Sequence, residues 1–168
     1  DFDDKEWSHA VEIGPFGTDP WQRTEPKERM QSPARYFRKE FTAEAKNIKR
    51  AALYATSLGI YQVYVNGQRI TDDYLSPGWT DYRKRVYYRA YDVTEFMQSG
   101  DNAIGAILAD GWYAGYVGGG RARNHYGRKT RFLSQLTIEY EDGTKQVIAT
   151  GNDWKASVGP IFYADLLH

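Results

Sequence analysis

An aspartate, a tryptophan and a tyrosine stand together at Asp110-Gly111-Trp112-Tyr113, a grouping suited to holding a sugar. A flat ring packs against the apolar face of a pyranose, while a neighbouring carboxylate accepts its hydroxyl protons. The stretch from Leu108 to Gly115 brings an apolar run to an Asp-Gly turn and sets both aromatics among small residues. The alternative makes Trp112 and Tyr113 core aromatics, with the glycines marking tight bends. A second concentration of chemistry is the basic run Arg121, Arg123, Arg128, Lys129 and Arg131, with Asn124, His125 and Tyr126 among them. Arginine's planar fork grips a carboxylate or paired hydroxyls, so the run reads as an anion or polar-ligand site. The plainer reading is a solvated loop whose charges are matched elsewhere.

Other chemistries find less support. Glycoside hydrolysis needs two carboxylates on opposite sides of one bond. Asp72, Asp73, Asp81 and Asp110 are available, but the sequence does not pair them. Asp72-Asp73 follows a hairpin signal and reads as a solvated turn. It also offers oxygen ligands to calcium, although the dense Asp/Asn spacing of a dedicated calcium loop is missing. No metal site and no cofactor are therefore expected. His9, His125 and His168 lie in no nucleophile motif and form no H-x-x-x-H pair. Gly118-Gly119-Gly120 lacks the Lys-Ser/Thr of a phosphate loop and reads as surface.

The chain has 168 residues, enough for one domain with a core and not comfortably two. Its 22 lysines and arginines balance 22 aspartates and glutamates, which argues against a nucleic-acid or anionic-membrane surface spanning the domain. Apolar runs such as Ala51-Ala52-Leu53-Tyr54-Ala55 are too short to cross a bilayer. Without cysteine there is no disulfide, thiolate nucleophile or cysteine metal site. A start at Asp1 with no apolar leader leads to the expectation of a mature or excised fragment, any export signal already removed. Aromatics at 15%, with 14 Tyr and 5 Trp, favour sheet over helix.

The elements that must position these residues follow from patterning. Residues 1–34 are broken by Gly14-Pro15, Asp19-Pro20, Glu25-Pro26 and Ser32-Pro33 and read as an irregular lead-in, tacked on by Trp7 and Trp21. Strands are expected at Tyr36–Phe41, Ile48–Ser57 and Gly59–Val65, the last with Tyr61, Val63 and Val65 on one face. Asn66-Gly67 suits a type I′ turn, with Gln68-Arg69-Ile70 returning. Further strands are expected at Lys84–Tyr91 and Asn102–Ala109, with a hairpin of Phe132–Tyr140 and Lys145–Thr150 about Asp142-Gly143. Asn152–Ser157 and Ile161–Tyr163 read as short strands. Asp92-Val93-Thr94-Glu95 resembles a capping box opening one brief helix that Gly100 stops. Many short strands and one helical turn predict an all-β antiparallel sandwich of jelly-roll type over residues 35–168.

Four ordered segments carry a family resemblance: Gly59-Ile60-Tyr61-Gln62-Val63-Tyr64-Val65-Asn66-Gly67, Leu75-Ser76-Pro77-Gly78-Trp79-Thr80-Asp81-Tyr82, Tyr91-Asp92-Val93-Thr94 and Asp110-Gly111-Trp112-Tyr113, with Gly159-Pro160-Ile161 also fitting. In this order and spacing the chain from about Ser32 to His168 resembles the N-terminal β-sandwich region of bacterial α-L-rhamnosidases. The resemblance implies a parent enzyme that removes terminal α-L-rhamnose with inversion, exported to the periplasm or beyond. Its acidic catalytic residues would lie in a separate barrel of paired helices downstream of His168, so no catalytic residue is expected here. It implies two partners, a rhamnose-containing carbohydrate and the catalytic domain. Some relatives carry a calcium-dependent rhamnose-binding module, whose site is not matched residue by residue.

On both grounds the candidate carbohydrate contacts are Trp79, Asp81, Asp110, Trp112, Tyr113, Arg123, Asn124 and Tyr126. The competing role is a structural domain that docks onto the catalytic domain without binding sugar, since exposed aromatics serve either interface. A weaker one has the basic run holding an acidic polysaccharide.

Overall fold

The computed structural model describes residues 33–117 and 122–166. The lead-in up to Ser32, with Trp7, Trp21 and His9, lies outside the described residues, as do Gly118–Arg121 and His168. Among the described residues nine strands are formed: β1 Arg35–Ala43, β2 Ile48–Leu58, β3 Ile60–Val65, β4 Gln68–Arg69, β5 Tyr88–Asp92, β6 Gly100–Ala109, β7 Arg131–Tyr140, β8 Lys145–Ala149 and β9 Lys155–Val158. They pair antiparallel into a five-stranded sheet ordered β4-β3-β6-β1-β9 and a four-stranded sheet ordered β5-β2-β7-β8. This is the expected all-β sandwich.

Alternation sets the core. Along β3, Tyr61, Val63 and Val65 are buried and the residues between them are not. Ile104, Ala106 and Leu108 of β6 join them from the same sheet, facing Ala51, Leu53 and Ala55 of β2 and Leu136, Ile138 and Tyr140 of β7. Side chains of period two meet across the sandwich because each sheet has one dry face. Phe132 bridges the layers, edge-on to Tyr61 at 5.5 Å and stacked with Phe37 at 6.1 Å. The Tyr61 hydroxyl donates to the Ala55 carbonyl at 3.0 Å, and burial first, then its contact with the Tyr91 hydroxyl, pushes its pKa up.

Two turns fix the strands' relative placement. Gly59 is the whole connection between β2 and β3, so the chain changes sheet at one residue. Its φ of +136° suits only glycine, and a Cβ there would stand 2.4 Å from the Ala109 carbonyl oxygen. Asn66 and Gly67 take φ of 50° and 80°, as the type I′ turn requires. The Asn66 amide also donates to the Phe96 carbonyl and to Asn102 Oδ1, both at 2.9 Å, and accepts from Ala103 N, tying the hairpin to the start of β6.

Four local expectations are corrected. β5 begins at Tyr88 rather than Lys84, because Lys84 and Arg85 donate their N–H groups to the Asp81 carbonyl and close a turn instead. The capping box is not formed: Asp92 Oδ1 accepts from both the N–H and the hydroxyl of Thr94, and only a three-residue 3₁₀ turn, Thr94–Phe96, follows. Ile161–Tyr163 forms no strand, and the short strand before it begins at Lys155 rather than Asn152.

The β7–β8 hairpin closes as the sequence indicates, with Gly143 at φ +83°. The Thr144 hydroxyl, then its N–H, then the Lys46 ammonium hold the Asp142 carboxyl down at about 2, against an ordinary 3.8. A lowered folded pKa means that the stabilisation is whole above the unfolded value and is lost as pH falls from about 3.8 through about 2. Carboxyl NMR titration is expected to place Asp142 near 2 and to move it back toward 3.8 in Thr144→Val. An unmoved midpoint in that variant would refute the assignment.

Candidate functional site

Three segments from distant parts of the sequence meet beyond the end of β6: the loop 76–85 between β4 and β5, the turn at 110–117, and the loop 122–130 leading into β7. The expected Asp-Gly turn is a single helical turn, α1 (Gly111–Ala114), entered from Asp110. Asp110 N donates to the Ala164 carbonyl at 2.9 Å, which anchors the turn to the chain's last described segment. Loop 122–130 is zipped onto it by Asn124 N to the Ala114 carbonyl at 3.1 Å and Tyr126 N to the Tyr113 carbonyl at 3.4 Å. Asn124 adopts φ 65°, a left-handed conformation that asparagine tolerates well.

Beneath this surface lies a charge cluster. Arg123 Nη2 hydrogen-bonds Asp110 Oδ2, and its Nε stands 3.4 Å from Asp165 Oδ2. Asp165 accepts from Tyr116 N at 3.1 Å, and the guanidinium sits 5.6 Å from the Tyr116 ring centre. All three charged side chains are nearly buried. The fork of Arg123 thus grips two carboxylates of its own chain. Arg128, Lys129 and Arg131 of the basic run are exposed.

Above it the aromatics gather. Trp79 and Trp112 stack with ring centres 6.1 Å apart and planes 5° from parallel. Trp79 is 52% exposed and Trp112 is partly buried, so Trp112 backs the outer ring. Tyr82 is the hub beside them, edge-on to Tyr113 at 5.3 Å and to Tyr126 at 5.0 Å. Burial, followed by the neighbouring Tyr126, pushes the Tyr82 hydroxyl up to about 12, so it is a neutral donor at physiological pH. Arg83 stands 5.5 Å from the Tyr126 ring centre and donates to the His125 carbonyl. Gly127 leaves room for Tyr113, since a Cβ there would lie 2.2 Å from the Tyr113 hydroxyl oxygen.

The ring residues thus form two groups on these loops, Trp79 with Trp112 and Tyr113 with Tyr126 about Tyr82, with Asn124 in the backbone framework. Asp110 and Arg123 pair below them. The Asp81 carboxylate accepts Arg83 N at 3.1 Å within its own turn. Tyr82 carries the cluster without having been singled out, although it closes the Trp79-Thr80-Asp81-Tyr82 motif. Asp165 has no sequence signal, being joined to Arg123 only by folding. Among the described residues no three His, Asp or Glu side chains gather so as to hold a metal ion. Asp72 and Asp73 lie exposed beside Arg69, whose guanidinium donates to the Asp73 carbonyl. This set does not fit calcium. Among the described residues no helix is long and apolar enough to cross a membrane.

Residues 46–168 match a family model described as the α-L-rhamnosidase N-terminal domain. The chain is 48% identical over 167 residues to an α-L-rhamnosidase of Streptomyces avermitilis, covering 99% of this chain and 16% of that protein. It superimposes on the crystal structure of the Streptomyces avermitilis enzyme complexed with L-rhamnose with a TM-score of 0.79. An α-L-rhamnosidase of Alteromonas is 42% identical over 141 residues, 83% of this chain and 15% of that protein. The native enzyme of Aspergillus terreus gives a TM-score of 0.77 at 39% identity, covering 80% of this chain and 16% of that one. The chain thus spans about a sixth of the length of these relatives.

Proposed function

The chain belongs to the α-L-rhamnosidase N-terminal domain family, and from that premise we propose that it serves carbohydrate recognition within a glycoside hydrolase acting on rhamnose-containing substrates. The observation that carries this reading is the Trp79–Trp112 stack. Trp112 immobilises Trp79 before any ligand arrives, so little conformational entropy is lost on binding, and the outer indole face stays open to a sugar's C–H face. Tyr82, edge-on to Tyr113 and Tyr126, braces the adjoining loops. Asp110 and Arg123 support the surface from beneath through their ion pair. The named complex of the Streptomyces avermitilis relative with L-rhamnose supports the choice of ligand.

Calorimetric titration with L-rhamnose and rhamnose-containing oligosaccharides tests it. Binding is expected at millimolar ligand, weakened about tenfold by Trp79→Ala, which is about 1.4 kcal/mol. No heat from the folded wild-type chain would leave the docking role. One observation favours that second reading: Tyr54, Tyr88, Leu133 and Val147 stand exposed on the outer face of the four-stranded sheet, a broad apolar surface suited to a neighbouring domain.

A further inference from the structure

Gly105 sits in the middle of β6, where a glycine is less favourable than an alanine. Nothing among the described residues requires it. It has no left-handed φ, and the ladders on both sides run through it without a bulge, Arg38 opposite on β1 and Tyr64 opposite on β3. A Cβ would meet only ordinary contacts, 3.8 Å from the Phe37 carbonyl oxygen and from Tyr64 Cβ. A strand glycine with neither a turn nor a packing reason marks close approach from outside.

What lies outside is a trough of about 850 Å³ on the outer face of the five-stranded sheet, its floor made by Ala103 and Gly105. Tyr36 and Tyr64 flank the floor, and both rings are fixed. Tyr36 lies against the backbone of Gly159, where a Cβ would be 2.3 Å from its ring, and the Tyr64 hydroxyl donates to Gln62 Oε1 at 3.0 Å. Arg38 and Lys155 line the same trough and share one carboxylate, Glu40, at 2.6 and 3.8 Å. Among the described residues two cations thus meet one carboxylate here. The backbone groups of β6 are already paired with β1 and β3, so an extended peptide cannot add there as a strand. Rings, the side-chain amide of Gln68 and cations remain, which is chemistry for hydroxyls and a carboxylate.

We propose that this trough binds a saccharide chain carrying a carboxylate, a uronate, at a site separate from the Trp79–Trp112 surface. The proposal extends the carbohydrate-recognition reading but stands on different residues. The test is calorimetric titration of the whole chain with trigalacturonate, its carboxyl-reduced trimer and L-rhamnose, with far-UV circular dichroism as the folding control. Trigalacturonate is expected to bind, at least tenfold more weakly to Gly105→Leu and several-fold more weakly to Arg38→Ala, with affinity falling as salt rises. Trp79→Ala should leave it unchanged, and the reduced trimer should bind more weakly. No binding to wild type, equal binding of the reduced trimer, or binding that Gly105→Leu and Arg38→Ala leave intact would overturn it. Rhamnose binding by Gly105→Leu reports separately on the aromatic surface, so either reading can fail alone.

Discussion

Replacing Arg123 with methionine is expected to lower the unfolding free energy by about 3 kcal/mol, the scale on which breaking a buried ion pair destabilises a protein. The Arg123 and Asp110 side chains are 13% and 11% exposed and Asp165 is 8% exposed, so little water reaches them. Methionine keeps most of the apolar stem while removing the cation, so the loss reports charge rather than volume. Asp110 and Asp165 are then two carboxylates that have lost the cation they share. Adding Asp165→Asn removes one of them and is expected to restore about half of the loss, a non-additivity that marks direct coupling. Urea unfolding at unchanged m-value reads both effects. A loss under about 1 kcal/mol in Arg123→Met would show that the cluster is solvated and does not hold the site together.

That cluster also shows where sequence reading stops. The sandwich was legible because a half-buried strand imposes period two, as in Tyr61, Val63 and Val65, and because Asn66-Gly67 can do little except turn. The segments of the candidate surface were legible too, since Trp79, Trp112 and Tyr126 stand in glycine-rich or polar loops. Their meeting was not. Trp79 follows β4 and Trp112 follows β6, and only the order β4-β3-β6 in one sheet brings those ends together. Asp110 reads in sequence as a carboxylate available to a sugar, yet folding delivers Arg123 to it from one side and the Asp165 segment from another. The trough around Gly105 was invisible for the same reason, being assembled from β1, β3, β6 and β9. The misplaced start of β5 has a local cause: alternation from Lys84 onward resembles a strand until Asp81 takes the amides for its own turn.

Gly111→Ala is expected to cost about 3 kcal/mol and to lower Tm by about 9 °C. Part of this is backbone, because Gly111 has φ +51°, and an alanine held left-handed costs about 1–2 kcal/mol. The rest is space. A Cβ would stand 2.6 Å from Ile60 Cγ2, 3.0 Å from Ile60 N and 3.2 Å from the carbonyl carbon of Gly59. The last two are backbone atoms at the corner where the chain changes sheet, so relief requires moving β3 or α1. Gly143 supplies the comparison: its φ is +83° with nothing within 4 Å of a Cβ, so Gly143→Ala carries the backbone cost alone. Gly111→Ala should therefore exceed Gly143→Ala by about 1–3 kcal/mol, the typical penalty of overpacking. Ile60→Ala in the same chain removes Cγ2 and should recover the side-chain share only. Equal losses in the two alanine variants would mean that the corner yields freely. Since Trp112 follows Gly111 directly, a displaced α1 must also shift the indole against Trp79, and tryptophan fluorescence should change in Gly111→Ala but not in Gly143→Ala. The glycine beside the candidate sugar platform would then be there to let the turn press against β3, and the platform's position would follow from that contact.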